Sequence, residues 1–384
     1  MLFNSSGIEQ GGRIISWCVA ALLMSCTESK VSDSVARPPP AKAAREAGAP
    51  VYGSACREST SELASVTGVL PSQTFEISGE RCQHPGVQTE CADGWCKIPA
   101  GCFVLGSPES EYGRGAFSEQ EVAATLTHSF YIQQNETTRA EWTAAGYQVR
   151  GGLSALEKEG IPQSGDCEES TCPAASLSWF DAVTYANDLS RRDGLLGCYQ
   201  LTGCSGIPGM TLRCASASIV GDSLYDCVGY RLPTRVEWEY AARAGTRTAF
   251  YSGGITPQGP DTSMCCSEKS LDQIGWYCAN SGLWTHPVGS KLPNGWGLFD
   301  MSGNAWEWVN DPYVGELPRE PLVDYGATLS KKDRALVRGG AASSNVSLIR
   351  SSATPIDFTR NLRAIGRNVG FRLVRSLPLQ DAGR

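Results

Sequence analysis

No Gly-x-Ser-x-Gly elbow, phosphate-binding glycine loop or Gly-x-Gly-x-x-Gly fingerprint occurs in the sequence, so hydrolase and nucleotide-dependent chemistry find no support in it. Cys-x-x-Cys is missing too, which removes zinc ribbons and thioredoxin-type dithiols, since both need two sulfurs projected from one tight turn. Histidine is scarce, with only His84, His128 and His286 spread along the chain. Charge is also low: 19% of residues are charged, and 40 acidic against 33 basic residues leave −7. Binding to a phosphate backbone favours a basic protein, so no nucleic-acid partner is expected.

What is abundant is glycine, cysteine and apolar surface. The 42 glycines among 384 residues argue against a helix bundle or coiled coil, while 41% hydrophobic and 9% aromatic residues are enough to bury a sizeable core. Of the 16 cysteines, Cys18 and Cys26 fall in or at the end of an apolar leader. The other fourteen suit up to seven bridges and an oxidising compartment. Cys91 with Cys96 and Cys167 with Cys172 have the spacing of loop staples, and the adjacent Cys265 and Cys266 favour two bridges to different partners over one strained vicinal bridge.

The leader places Arg13 ahead of an apolar stretch from Ile14 to Leu23. That stretch is too short for a bilayer span, which needs ~20 residues, and fits a signal-peptide core. The run Leu23-Met24-Ser25-Cys26 resembles a bacterial lipobox, which makes residues 1–25 a signal peptide and Cys26 the lipidated first residue. The alternative is ordinary secretion with cleavage nearby. Thr27, in place of an aspartate, is compatible by resemblance with outer-membrane sorting. Residues 26–50 carry Pro38-Pro39-Pro40 and read as a flexible tether. Residues 51–94 form a small cysteine-containing segment with weak strand signals at Ser65 to Leu70 and Thr74 to Ile77.

From Trp95 to Ser376 no second linker interrupts the chain, so 95–376 reads as one large domain with a 377–384 tail. Three helices are announced by capping boxes, in which a Ser or Thr hydroxyl accepts the N3 amide and the N3 acid returns the bond: Thr138 with Glu141, Ser178 with Asp181, and Thr234 with Glu237. Glycines at 146, 194 and 245 stop them. Phe103 to Leu105, Ser129 to Ile132 and Gly370 to Val374 are predicted strands. The stretch from Gly245 to Asn304 is too rich in Gly, Pro, Asn and Ser to be regular.

Read in order, several motifs carry a resemblance. They are Ile98-Pro99-Ala100-Gly101 leading to Gly106-Ser107; Asn135-Glu136-Thr137-Thr138; Tyr230-Arg231-Leu232-Pro233-Thr234 through Glu237-Trp238-Glu239-Tyr240-Ala241-Ala242-Arg243; Asp300-Met301-Ser302-Gly303-Asn304-Ala305-Trp306-Glu307-Trp308; Val337-Arg338-Gly339-Gly340; and Asn368-Val369-Gly370-Phe371-Arg372. This sequence resembles the formylglycine-generating enzyme family, also called the sulfatase-modifying factor domain. The resemblance implies a loop-rich α+β domain related to the C-type lectin fold, with little regular secondary structure.

It also implies copper oxidase chemistry, in which two cysteine thiolates hold Cu(I) after the Arg-Gly-Gly motif. Here Ser344 and Ile349 stand at the two cysteine positions and Ala341 at the family serine, and the last cysteine of the chain is Cys278. Copper is therefore not expected, and no catalytic residue is assigned. Iron stays open, although the H-x-x-x-H-x-E segment of the family's iron-dependent sulfoxide synthases is absent. The resemblance places calcium on Asp300, Gly303, Ala305 and Glu307, with oxygen ligands that suit a hard cation, and Asn280 matches part of an incomplete second site. Trp306 and Asn368, together with Ser344, mark a possible cleft. The aromatic residues Trp276, Tyr277, Trp284, Trp296, Trp306 and Trp308 read as core in preference to a ligand cleft.

Two functions follow. The favoured one is an exported lipoprotein, anchored by an N-terminal lipid in a bacterial membrane facing the periplasm or cell surface, with the outer membrane preferred. Its domain then serves as a non-catalytic binding or adaptor module for a protein, small molecule or glycan. The other is a divergent metal-dependent oxidase or oxygenase of the same family.

Overall fold

A computed structural model describes residues 70–377, apart from 78, 116–118, 150–166, 257–264, 314–315, 327–333, 355–359 and 363–367. The leader, Cys26, the tether, the strand signal from Ser65 and nearly all of the tail lie outside the described residues. Strands β1 (Gln73–Ile77), β2 (Glu80–His84), β3 (Cys91–Ala92), β4 (Trp95–Ile98), β5 (Gly101–Leu105), β6 (Val122–Leu126) and β7 (Phe130–Gln133) come first. Helices α1 (Arg139–Ala144) and α2 (Trp179–Arg192) follow, then β8 (Tyr199–Thr202), β9 (Ser216–Ile219), β10 (Tyr230–Arg231) and α3 (Arg235–Arg243). The C-terminal part holds α4 (Lys269–Asp272), β11 (Trp306–Pro312), β12 (Leu322–Val323), β13 (Arg334–Arg338), α5 (Val346–Ile349), β14 (Arg360–Asn361), β15 (Val369–Gly370) and β16 (Val374–Ser376).

The strands assemble into small sheets, of which the largest orders β10-β16-β7-β4-β3 and the next β14-β13-β11-β15. Loops connect nearly everything else, which is the loop-rich α+β architecture that the family resemblance implies. All three predicted helices form with complete capping boxes at Thr138, Ser178 and Thr234. One detail differs at the end of α3, where Ala244 itself takes the left-handed conformation (φ 44°) ahead of Gly245. The predicted strand over Gly370 to Val374 is divided between two sheets. β15 runs parallel to β11 and β16 antiparallel to β7. The chain crosses over because Arg372 turns inward to a buried carboxylate, while the Leu373 N–H is taken by the Gln133 side chain at 2.7 Å.

Helix α3 lies at the centre, with every residue from Arg235 to Arg243 buried. Its apolar side joins Phe103, Leu105, Phe130, Trp296 and Ile349 in one core cluster, while α2 heads a second with Trp308, Val337 and Phe371. Each large side chain so buried contributes roughly 1.5–3 kcal/mol from area removed from water. The two buried glutamates of α3 are paired with buried arginines. Arg231 pairs with Glu237 at 2.7 Å, and Glu239 takes both Arg243, at 2.9 Å, and Arg338. A buried pair of this kind contributes little net stability, yet removing one partner is costly. Six described disulfides join 82–102, 91–96, 167–172, 198–227, 204–214 and 265–278. Cys266 is disulfide-bonded as well, so the adjacent pair serves two bridges. The described residues belong to one compact unit that runs from Pro50 to Arg384. Among them no helix is long and apolar enough to cross a membrane.

Candidate functional site

The turn from Asp300 to Glu307 is shaped by backbone that few residues tolerate. Asp300, Gly303 and Asn304 have φ of 56°, 92° and 59°. A side chain at Gly303 would meet the Trp276 carbonyl oxygen at 2.1 Å, so only glycine passes there. Asn304 holds the turn in place. Its N–H donates to Trp276 O, its Oδ1 accepts the His286 N–H at 2.8 Å, and its amide donates to Glu136 at 2.7 Å. The other Glu136 oxygen accepts the Ala305 N–H at 2.8 Å.

Three wholly buried carboxylates, Glu136, Asp300 and Glu307, thus share one region with the buried Arg372 and, facing Asp300, the half-buried Lys291. Burial pushes Glu136 well above the usual carboxylate range, and the nearby Asp300 and Glu307 charges add to the rise. Asp300 is pushed up to about 6, mainly by burial and against the opposing bond from the Gly289 N–H. Such an imbalance is relieved by bound protons or by a cation.

The structure treats the expected calcium ligands unequally. Asp300 accepts from Gly289 with Oδ2, but its buried Oδ1 has no hydrogen-bond partner, and neither has Asn135 Oδ1 nearby, which would lie 3.2 Å from a side chain at Gly289. Glu307, expected as a ligand, is instead the counter-ion of Arg372. The guanidinium reaches it at 2.7 to 2.9 Å, and Trp238 Nε1 donates to it at 2.7 Å. Ala305 packs wholly buried in the turn. Asn280 works as a turn residue, accepting the Tyr277 N–H at 2.9 Å and donating to Gly275 O at 3.0 Å. Among the described residues no group of three or more His, Cys, Asp and Glu side chains has the arrangement of a metal site.

The segment after Arg338 packs beside this turn, since Ala342 N–H donates to Asn304 O at 2.8 Å. Gly339 and Gly340 have φ of 88° and 79°, and a side chain at Gly340 would strike Ile349 at 2.5 Å. Ile349 is fully buried in the α3 core cluster. Ser344 is buried too; its Oγ accepts the Ala341 N–H at 3.0 Å and its carbonyl accepts the Cys278 N–H at 3.0 Å. Every described cysteine is disulfide-bonded. Trp306 and Asn368 meet through a backbone bond of 2.8 Å, and both are buried. Of the six named aromatics, Tyr277, Trp296, Trp306 and Trp308 are core, whereas Trp276 and Trp284 are half-buried. His84, His128 and His286 stay apart: His84 bonds Pro85 O, His128 meets Thr127 and Asp324, and His286 stacks on Trp276 at 3.7 Å.

Sequence reasoning assigned no role to Glu136, Trp238 or Arg372. Their signal was present in the motifs that contain them, but only the fold shows that three motifs distant in sequence converge on Asp300 and Glu307.

These motifs and this topology match the Sulfatase-modifying factor enzyme 1-like domain family over residues 83–377. The chain belongs to that family. It is 39% identical to the formylglycine-generating enzyme of Thermomonospora curvata, over 70% of this chain and 84% of the relative. It is also 28% identical to the formylglycine-generating enzyme of Streptomyces coelicolor, and 26% identical to the chaperone protein LppX of Paenibacillus barcinonensis, each over 77% of this chain and 93% of the relative. Among solved structures, Treponema denticola variable protein 1 superimposes with a TM-score of 0.55 at 22% identity, over 80% of this chain and 99% of that one. PvdO from Pseudomonas aeruginosa gives 0.51 at 21%, over the same shares. The sulfatase-modifying-factor fold is thus shared by proteins with different names.

Proposed function

We propose that this sulfatase-modifying-factor domain is a non-catalytic binding or adaptor module. One observation supports the reading: Ser344 and Ile349, which the sequence resemblance sets at the family's copper-thiolate positions, are both built into the packing, Ser344 as a turn acceptor and Ile349 as core. Neither a hydroxyl nor a methyl-bearing side chain replaces a soft thiolate for Cu(I). The disulfide-bonded state of every described cysteine supports the same conclusion. Fold alone does not decide function, and the relative named as a chaperone protein, matched along 93% of its length, favours a protein ligand. Calcium belongs to the proposal as a structural ion at Asp300, whose unpartnered Oδ1 suits a hard cation together with the carbonyls of Gly303 and Ala305. Glu307 serves as the partner of Arg372 beside it.

The test is incubation of the purified protein with copper, oxygen and a sulfatase-motif peptide, followed by mass spectrometry. No aldehyde is expected. An aldehyde formed in stoichiometric excess over protein would overturn the reading, and stoichiometric iron or copper with oxygen consumption would make this a divergent oxidase.

The module is proposed to be exported and lipid-anchored through Cys26, on the strength of the Arg13 leader and the Leu23-Met24-Ser25-Cys26 run. Labelled palmitate is expected to enter the native chain and not a Cys26→Ala variant; equal labelling of both would remove the anchor.

A further inference from the structure

A cavity of about 240 Å³ lies where the N-terminal segment meets the five-stranded sheet, and Pro85, Glu90, Lys97, Pro99, Ser129 and Trp296 line it. Its two charged walls come from one strand register. The Lys97 N–H donates to Glu90 O at 2.8 Å, continuing the β3–β4 ladder, so these side chains of opposite sign start from directly opposed positions. Opposed charges in that relation ordinarily pair across strands. Here they do not. Glu90, exposed at the mouth of the cavity, accepts from the exposed Gln88 Nε2 at 2.5 Å, and the half-buried Lys97 ammonium has no ion pair or hydrogen bond among the described residues.

Two buried ring nitrogens, one on the lining residue Trp296 and one on the neighbouring His84, also lack partners. His84 gives Nδ1–H to Pro85 O at 2.7 Å, which leaves Nε2 as an acceptor, and that acceptor has no partner. The Nε1–H donor of Trp296, whose ring centre lies 6.1 Å from that of His84, has none either. Buried polar atoms are seldom left unpaired, but both nitrogens are shut off from solvent, so neither contacts a guest in the cavity.

We propose that this cavity binds a small zwitterion of amino-acid size, with its carboxylate on Lys97, its ammonium on Glu90 and its apolar part between Pro85 and Pro99. Both charges are required because an anion alone leaves Glu90 facing it, and a cation alone leaves Lys97. Size points the same way: 240 Å³ lies below the roughly 300–1,000 Å³ of sites for drug-sized ligands, too small for a nucleotide or a folded peptide. This site gives the cysteine-containing N-terminal segment a role, and it shares no residue with the Asp300 turn or with Ser344, so it stands or falls independently of the module's catalytic status.

Titration calorimetry and ligand-detected NMR on the full chain would use free L-valine, N-acetyl-L-valine and L-valinamide, with a panel of the other free amino acids. Saturable valine binding with a dissociation constant on the order of 1 mM or tighter is expected. Either charge-deleted analogue, and either Lys97→Met or Glu90→Gln, should weaken it about tenfold. Lys97→Arg, which keeps the charge, should bind whether or not Lys97→Met alters folding, and unchanged melting of the variants would localise the loss to the cavity. Absence of saturable binding for every free amino acid overturns the proposal. So does valine binding that is equal in Lys97→Met and the native chain, or matched by the N-acetyl analogue.

Discussion

Asp300 and Glu307 sit on one turn seven positions apart, are both wholly buried, and do different work. Glu307 is neutralised by Arg372, so it behaves as half of a buried ion pair whose loss would strand a charge. Asp300 has only a backbone partner and an idle Oδ1, and burial raises it to about 6. A structural calcium ion would relieve that burden. The melting temperature is therefore expected to rise with calcium and fall with chelator in the native chain, since a ligand that binds only the folded state stabilises it by mass action. Asp300→Asn should lose that response. A melting temperature indifferent to calcium and chelator would remove the ion. The identity of Asp300 as a notable residue was legible from its motif. The commitment of Glu307 to Arg372 was not, because their 65-residue separation in sequence carries no information about contact.

At the level of elements, the capping boxes were the most readable feature. A hydroxyl at N-cap and an acid three residues on satisfy amides within the same turn, so neighbouring residues suffice to specify them. Ser178 Oγ accepts the Asp181 N–H at 3.1 Å, and Asp181 returns a bond to the Ser178 N–H at 2.9 Å while its other oxygen takes the Gly209 N–H at 2.8 Å. Ser178→Ala should therefore cost about 1 kcal/mol by urea denaturation, and Asp181→Ala more, because it also frees a loop amide; equal costs would mean that the Gly209 contact is idle. Strands were harder to read. β11 is buried on every residue from Trp306 to Pro312, so no polar alternation marks it, and β15 and β16 owe their separation to the sheets they join.

On the scale of the whole molecule, stability should depend on pH in an uncommon direction. Asp311 is pushed up to about 7 and Asp300 to about 6, chiefly by burial, from ordinary values of 3.8. Glu136 moves the same way. The folded state therefore holds more protons than the unfolded chain between about pH 4 and 7. Their contribution is fully present below the unfolded value and is lost as pH rises through the folded one. Glu119, held low by Arg350, opposes this with a contribution that is lost toward acid. In the presence of chelator, net unfolding free energy is expected to decline from about pH 5 to 7, and Asp311→Asn should flatten that slope. A native profile that climbs steadily to pH 7 would show that these acids are compensated in the folded state.

What the sequence by itself determined is what depends on neighbours along the chain and on ordered motifs: the family, the loop-rich α+β class, the three helices, and the absence of any cysteine after Cys278. Tertiary structure decided which charges meet. It gave Arg372 to Glu307, left Asp300 half satisfied, buried Ser344 and Ile349 in packing, and kept Lys97 and Glu90 apart around a cavity. The reason is physical. A buried charge is governed by whatever opposite charge or dipole lies within a few ångströms, and in a fold made mainly of long-range loop contacts those partners come from distant parts of the chain.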